Sequence, residues 1–215
     1  MASILTAPTE SVFDRIADAL VARGYILLND GPDAGITRAL YERTQQLSDD
    51  FRRAGVGREQ DQHLNSRIRQ DEIHWLSMKN PAEVAYLEWM ETLREEINRR
   101  LFMGLFDYEC HFAHYAPGAF YRRHLDAFRG QTNRVLTTVY YLNDGWQKED
   151  GGELLLYPDA GDEPIERVLP TAGTLVIFLS DSFPHEVLPA KADRYSIAGW
   201  FRVNGSLGNQ IDPPR

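Results

Sequence analysis

The stretch Arg194-Tyr-Ser-Ile-Ala-Gly-Trp-Phe-Arg-Val203 alternates with a period of two, the spacing of a β-strand. Its odd positions, Tyr195, Ile197, Gly199, Phe201 and Val203, make a core face. Its even positions, Arg194, Ser196, Ala198, Trp200 and Arg202, set arginine and tryptophan among small residues. In a sheet that closes into a barrel, this second face points into a cavity. A guanidinium there keeps its charge and costs several kcal/mol to bury unpaired, so the pattern calls for an anionic partner. A dicarboxylate gripped as a bidentate pair meets that need. The run 134–142 carries Thr137, Val139 and Tyr141 on one face, and the Tyr141 hydroxyl can donate to the same carboxylate. A surface position for Arg194, paired with Asp193 or another acid, is the alternative.

Outward from this strand, the second half of the chain reads as strands over 109–115, 134–142, 153–157 and 173–179. Turn clusters separate them, notably Asn143-Asp144-Gly145 and Asp150-Gly151-Gly152. The first half is mainly helical. Thr9 precedes Val12, Phe13, Ile16, Ala17, Leu20 and Val21, a set stopped by Gly24, and 25–28 is a short strand. Asp33 can cap a second helix bearing Ile36, Leu40, Leu47 and Phe51. Asn80-Pro81 opens a third, with Val84, Leu87, Met90, Leu93, Ile97 and Leu101 along it. This order predicts an α+β fold, a β-barrel or sandwich with helices packed on one outer face. It forms one domain, 1–215: helical support over 1–107, a catalytic core over 108–203 and a loose tail over 204–215. Between Arg52 and Arg69 the helical period is lost, with five arginines against Glu59 and Asp61. That stretch is a solvated loop or a lid over a partner.

Composition narrows the classes. The 215 residues are 43% hydrophobic and 26% charged, which excludes disordered and collagen-like chains. Lys plus Arg at 23 against Asp plus Glu at 32 gives −9, a charge that repels nucleic acid. The longest purely apolar run, 175–179, is far too short for a membrane span. Cys110 is the single cysteine, so no internal disulfide or cysteine-rich zinc site forms. With no apolar segment after Arg15, a secretory signal is not expected, and the location expected is cytoplasmic.

His124 and Asp126 are two apart, so on an extended segment both leave one face about 6.5–7 Å apart. His185 follows the run 173–179 at a strand end and is the best third ligand. Two imidazoles and a carboxylate form the facial set of non-heme Fe(II) oxygenases. His111 and His114 lie three apart and face opposite sides, so they cannot share an ion. His63 falls in the polar loop, and His74 beside Trp75 reads as a packed residue.

Five segments stand in order: Tyr121-Arg-Arg-His-Leu-Asp126, Tyr140-Tyr-Leu-Asn-Asp-Gly-Trp146, Gly151-Gly-Glu-Leu154, Pro184-His-Glu-Val187 and Arg194-Tyr-Ser-Ile-Ala-Gly-Trp200. Together they resemble the catalytic domain of Fe(II)- and 2-oxoglutarate-dependent prolyl hydroxylases. The likeness is to the branch of the hypoxia-inducible-factor enzymes and their bacterial relatives. Ile68-Arg-Gln-Asp-Glu-Ile-His-Trp75 resembles that branch too. The resemblance implies a double-stranded β-helix, or jelly roll, with Fe(II), 2-oxoglutarate and O2 and with ascorbate as a supporting reductant. It implies His124, Asp126 and His185 as metal ligands, and Arg194 with Tyr141 on the distal carboxylate of 2-oxoglutarate. It places Tyr115 near the iron and co-substrate and Leu154 on an apolar wall. Arg134 and Trp200 match positions near a target proline, and Arg69 and Asp71 a loop that folds over substrate. The implied reaction hydroxylates a prolyl residue of a protein, releasing succinate and CO2, and the bacterial members point to translation elongation factor Tu. Collagen-type relatives carry lysine where Arg194 stands. Nucleic-acid demethylases carry a second arginine where Trp200 stands. A hydroxylase of a free amino acid or small molecule, and a jelly-roll sensor without catalysis, are the competing readings.

Overall fold

A computed structural model describes residues 11–54, 67–127 and 133–205. Each helix starts where a side chain takes up an orphan amide. Ser11 caps α1 (Val12–Arg23): its hydroxyl accepts from the Asp14 amide, and the Asp14 carboxylate accepts from the Ser11 amide. Thr9 lies outside the described residues. Asp33 accepts from the Gly35 amide at the start of α2 (Ala34–Gln46), and Asn80 from the Ala82 amide at the start of α3 (Pro81–Leu101). The second helix ends at Gln46, so Leu47 and Phe51 enter the core from beyond it.

The strands are β1 (Tyr25–Leu28), β2 (Arg52–Arg53), β3 (Glu72–Trp75), β4 (Leu105–Tyr115), β5 (Tyr121–His124) and β6 (Arg134–Tyr141), then β7 (Leu154–Leu156), β8 (Glu166–Val168), β9 (Leu175–Leu179), β10 (His185–Val187) and β11 (Arg194–Val203). They form a major sheet, β1-β9-β6-β11-β4-β3-β2, and a minor sheet, β5-β10-β7-β8. Every pairing within them is antiparallel. The two sheets face each other in a jelly roll with the helices on one outer face.

Two cores result from the alternation along the major sheet. The outer one joins Ile197 and Phe201 of β11 to Ile16 and Leu20 of α1 and Tyr86, Met90, Leu93 and Ile97 of α3. The inner one lies between the sheets and joins Tyr115, Val139, Tyr141 and Phe178 to Leu154, Leu156 and Val187. Burying one face of β11 under helices and the other against a second sheet removes both from water, the stable solution for a two-faced sheet.

Two expectations change. The strand expected over 25–28 forms and pairs with β9, but the helical half also supplies β3, unexpected, on the edge of β4, so the major sheet is built from both halves. The polar loop expected over 52–69 is tied at both ends. Arg52 and Arg53 pair with Ile73 and Glu72, and Arg69 bridges to Tyr121. Backbone pairing there satisfies amides that a solvated loop leaves to water. Residues 55–66 of that loop, with His63, and most of the tail lie outside the described residues.

Candidate active site

The minor sheet brings two histidines together. His124 ends β5 and His185 opens β10, and the two are direct partners in the pairing of those strands. Their rings lie 4.3 Å apart between centroids. In each, Nδ1–H donates to a backbone carbonyl, of Arg122 at 2.8 Å and of Phe183 at 3.1 Å. A carbonyl only accepts, so the proton sits on Nδ1 and the Nε2 lone pair is free to bind a metal. Asp126, in the bend after β5, completes the set. Its Oδ1 is 3.5 Å from His124 Nε2, and its Oδ2 is 3.6 Å from His185 Nε2. One ligand atom from each residue lies within 4.8 Å of the others.

The protonation states suit ligation. Burial pushes the His185 imidazole down to about 4, so its lone pair is available at neutral pH. Burial pushes the Asp126 carboxyl up, but the neighbouring His185 and the hydrogen bonding of His124 outweigh it and hold it well below the carboxylate range. The acid is an anion.

The second half of the site rests on a contrast between two arginines on the same face of β11. Arg202 is buried and neutralised by Asp107, with bonds of 2.9 and 2.6 Å. Arg194, 1% exposed, donates from Nε to the Gly152 carbonyl at 2.8 Å and from Nη1 to the Ser196 hydroxyl at 3.3 Å. It has no ion pair among the described residues, and its Nη2 has no hydrogen-bond partner. The guanidinium lies over the rings of Tyr115 and Tyr141 at 4.9 and 5.0 Å. The Tyr141 hydroxyl, fully buried, also lacks a partner. Burial pushes that phenol up to about 12 against the opposing charge of Arg194, so it stays a donor. Two orphan donors beside one unneutralised cation fit a carboxylate. Asp193, the alternative partner for Arg194, accepts instead from His114 at 2.7 Å.

The motif Gly151-Gly152 has a steric cause. A Cβ on Gly152, at φ +70°, would stand 2.9 Å from the Ala190 Cβ and 3.1 Å from the Arg194 Cδ. Glycine lets the loop close over the arginine stem while its carbonyl accepts from Nε.

Of the other expected residues, Tyr115 and Leu154 line the inner core. Arg69 donates to Asp71 from Nε at 2.7 Å and lies 4.4 Å over the Tyr121 ring, which stacks on His124 at 3.6 Å. Arg134 donates to Glu109 at 2.9 Å and lies 3.7 Å over Trp200. The structure thus gathers Arg69 and Asp71 beside the triad through Tyr121. Sequence reasoning missed Gly152 and Thr137, which donates to Asp126 at 2.8 Å. The signal for Thr137 was its place on the inward face with Val139 and Tyr141.

Residues 110–202 match the family model described as 2OG-Fe(II) oxygenase superfamily. A Pseudomonas putida prolyl-4-hydroxylase structure is 42% identical, covers 89% of this chain and 100% of its own, and superposes with a TM-score of 0.82. The chain belongs to the 2OG-Fe(II) oxygenase superfamily. A Trichoplax adhaerens prolyl hydroxylase, solved with a peptide of the hypoxia-inducible-factor oxygen degradation domain, is 28% identical with a TM-score of 0.79, covering 90% of each chain. Egl nine homolog 1 of Mus musculus is 31% identical over 177 residues, 74% of this chain and 44% of that protein. The chain therefore spans less than half of that curated relative. Family membership implies Fe(II), 2-oxoglutarate and O2. The residues present fit them: two imidazoles with Nε2 turned inward and a carboxylate suit a ferrous ion, and the donors of Arg194 and Tyr141 suit the far end of a dicarboxylate. Among the described residues no helix is long and apolar enough to cross a membrane.

Proposed function

We propose that this chain hydroxylates a proline within a protein segment. The observation that carries the reading is the buried Arg194, with no acid on it among the described residues and its unpartnered Nη2 beside Tyr141, whose inner-core neighbour Phe178 meets His185 of the His124–Asp126–His185 set at 4.9 Å. A structural scaffold does not keep such a cation without a ligand to neutralise it. The prolyl class is supported by the likeness to the Pseudomonas enzyme and to the Trichoplax enzyme with its peptide.

His124, Asp126 and His185 would hold Fe(II), and Arg194 with Tyr141 would hold the distal carboxylate of 2-oxoglutarate, aiming the keto acid at the metal. Bound iron with O2 supplies the oxidation, in which 2-oxoglutarate gives succinate and CO2 and one oxygen atom of O2 enters a C–H bond of the ring. Tyr115 and Leu154 wall the co-substrate pocket and exclude water from it. Arg134 on Trp200, and the Arg69–Asp71 pair against Tyr121, form the rim on which the substrate segment would lie. Elongation factor Tu is the candidate substrate, and the domain 1–215 would act in the cytoplasm. Ascorbate would serve only to keep the iron reduced.

The test incubates the purified chain with Fe(II), 2-oxoglutarate, ascorbate and elongation factor Tu, and maps added oxygen by mass spectrometry. One added oxygen on a proline, with matching succinate and loss of both under a chelator, is the expected result. Oxygen added to free proline alone would turn the reading to a small-molecule hydroxylase. Succinate-free, metal-binding protein would turn it to a sensor.

A further inference from the structure

Thr137 belongs to neither the ligand set nor the co-substrate anchor, yet it touches the triad. It sits on β6, opposite Phe178 of β9 and Trp200 of β11. Its hydroxyl is 2.8 Å from Asp126 Oδ2 and 2.9 Å from the Ser180 hydroxyl. Thr137 and Ser180 are buried, at 2% and 0% exposure. Thr137 is the donor in both contacts, and an ionised carboxylate only accepts, so its one proton is drawn to Asp126 while the Ser180 hydroxyl stands by as a second acceptor. Ser180 is itself held, since its amide donates to the Val135 carbonyl at 2.9 Å.

The two histidines come from the minor sheet, whereas Thr137 belongs to the major sheet and Ser180 to the turn directly after β9. Asp126 lies in a bend outside either, and the Thr137 hydrogen bond ties its carboxylate to the major-sheet wall. We propose that Thr137 is a positioning residue that holds the Asp126 carboxylate through Oδ2 and so fixes how it would be presented to a metal. Both oxygens face the histidines, Oδ1 at 3.5 Å from His124 Nε2 and Oδ2 at 3.6 Å from His185 Nε2, so the rotation of the carboxylate decides the shape of the ligand set. This deepens the proposed function and rests on Asp126 being a ligand. Outer hydrogen bonds of this kind typically carry about 10–100-fold in metal affinity or activity.

The experiment measures Mn(II) affinity of the metal-free protein by the resonance of the free ion, alongside circular dichroism and the ratio of succinate to hydroxylated product. Thr137→Val keeps the shape and removes the hydroxyl. It is expected to weaken Mn(II) binding about 10–100-fold and raise the succinate ratio, with the fold retained. Thr137→Ser restores both. Ser180→Ala is expected to bind Mn(II) as the wild type does, because Thr137 still donates to Asp126. A folded Thr137→Val with wild-type affinity and coupling overturns the positioning role, and so does a defect that Thr137→Ser does not repair. Should Thr137→Val fail to fold, Thr137→Ala makes the same comparison, and wild-type affinity in it overturns the role. His124→Ala separates the two levels. If it too binds Mn(II) normally, the ligand assignment falls and takes the positioning role with it. If it loses the ion while Thr137→Val keeps it, only the positioning role falls.

Discussion

His124 and His185 are direct partners across β5 and β10, so one antiparallel register sets two imidazoles that are far apart in sequence. A one-residue slip would turn one ring to the other face of the minor sheet. The pair is therefore a property of the sheet, and loop motion does not control it. Asp126 is different, because it depends on a bend and on the far wall.

Removal of a ligand is expected to abolish activity without unfolding the chain. His124→Ala or Asp126→Ala should lose turnover of 2-oxoglutarate and bind Mn(II) at least about 10-fold more weakly. Circular dichroism should match the wild type. Normal turnover in either variant would refute the assignment.

Arg194→Met should separate binding from stability. Hydrogen bonds to a charged group are worth roughly 1.5–3 kcal/mol, so 2-oxoglutarate should bind about 10–150-fold more weakly by calorimetry. The metal-free variant should unfold at the same temperature or higher, because a buried cation without an acid has been replaced by apolar volume. Unchanged affinity would remove Arg194 from the co-substrate site.

Tyr141→Phe deletes a buried hydroxyl that has no partner in the free protein. Stability should hold or rise by about 1 kcal/mol, while 2-oxoglutarate affinity falls by about 10-fold. Combined with Arg194→Met, the losses should be less than additive, since both donors serve one carboxylate. Full additivity would place them on different groups.

Gly152→Ala should act on the co-substrate although it touches none of the ligands. The new methyl would meet Ala190 at 2.9 Å and the Arg194 stem at 3.1 Å, at φ +70°. A lower melting temperature and a raised KM for 2-oxoglutarate, with Mn(II) affinity unchanged, are expected. An unaltered KM would show that the loop does not set the arginine.

Acid should destabilise the metal-free protein through its buried histidines. Burial pushes His111 down to about 4, and likewise His185, against 6.5 for the unfolded chain. The unfolded state therefore binds more protons between pH 6.5 and 4. Stability is full above about 6.5 and is lost as pH falls toward 4, by at most roughly 3 kcal/mol per histidine. His111→Gln should flatten the slope of urea stability over that window. An unchanged slope would mean that burial does not lower the His111 pKa below its unfolded value.

Much of this was legible in the chain. The strand Arg194–Val203 places Ile197 and Phe201 in the outer core, while Arg194 on its other face lies over Tyr115 and Tyr141 of the inner one. The caps at Asp33 and Asn80 and the stop at Gly24 are local signals and hold as local structure. The short strands β5, β8 and β10 were not visible, since three or four residues are too few to show a period and their pairing partners supply the order. The same holds for β3, which forms because β4 offers it an edge.

By itself the sequence determined the residue types of the site, the starts of α2 and α3 and the inward face of β11, because these depend on neighbours along the chain. Only the tertiary structure decided that Arg194 meets no acid among the described residues whereas Arg202 meets Asp107, and that Thr137 reaches Asp126. Those facts depend on which strands lie side by side and on what the opposite sheet presents, and a hydrogen bond or ion pair across a barrel leaves no periodic trace in the chain that makes it.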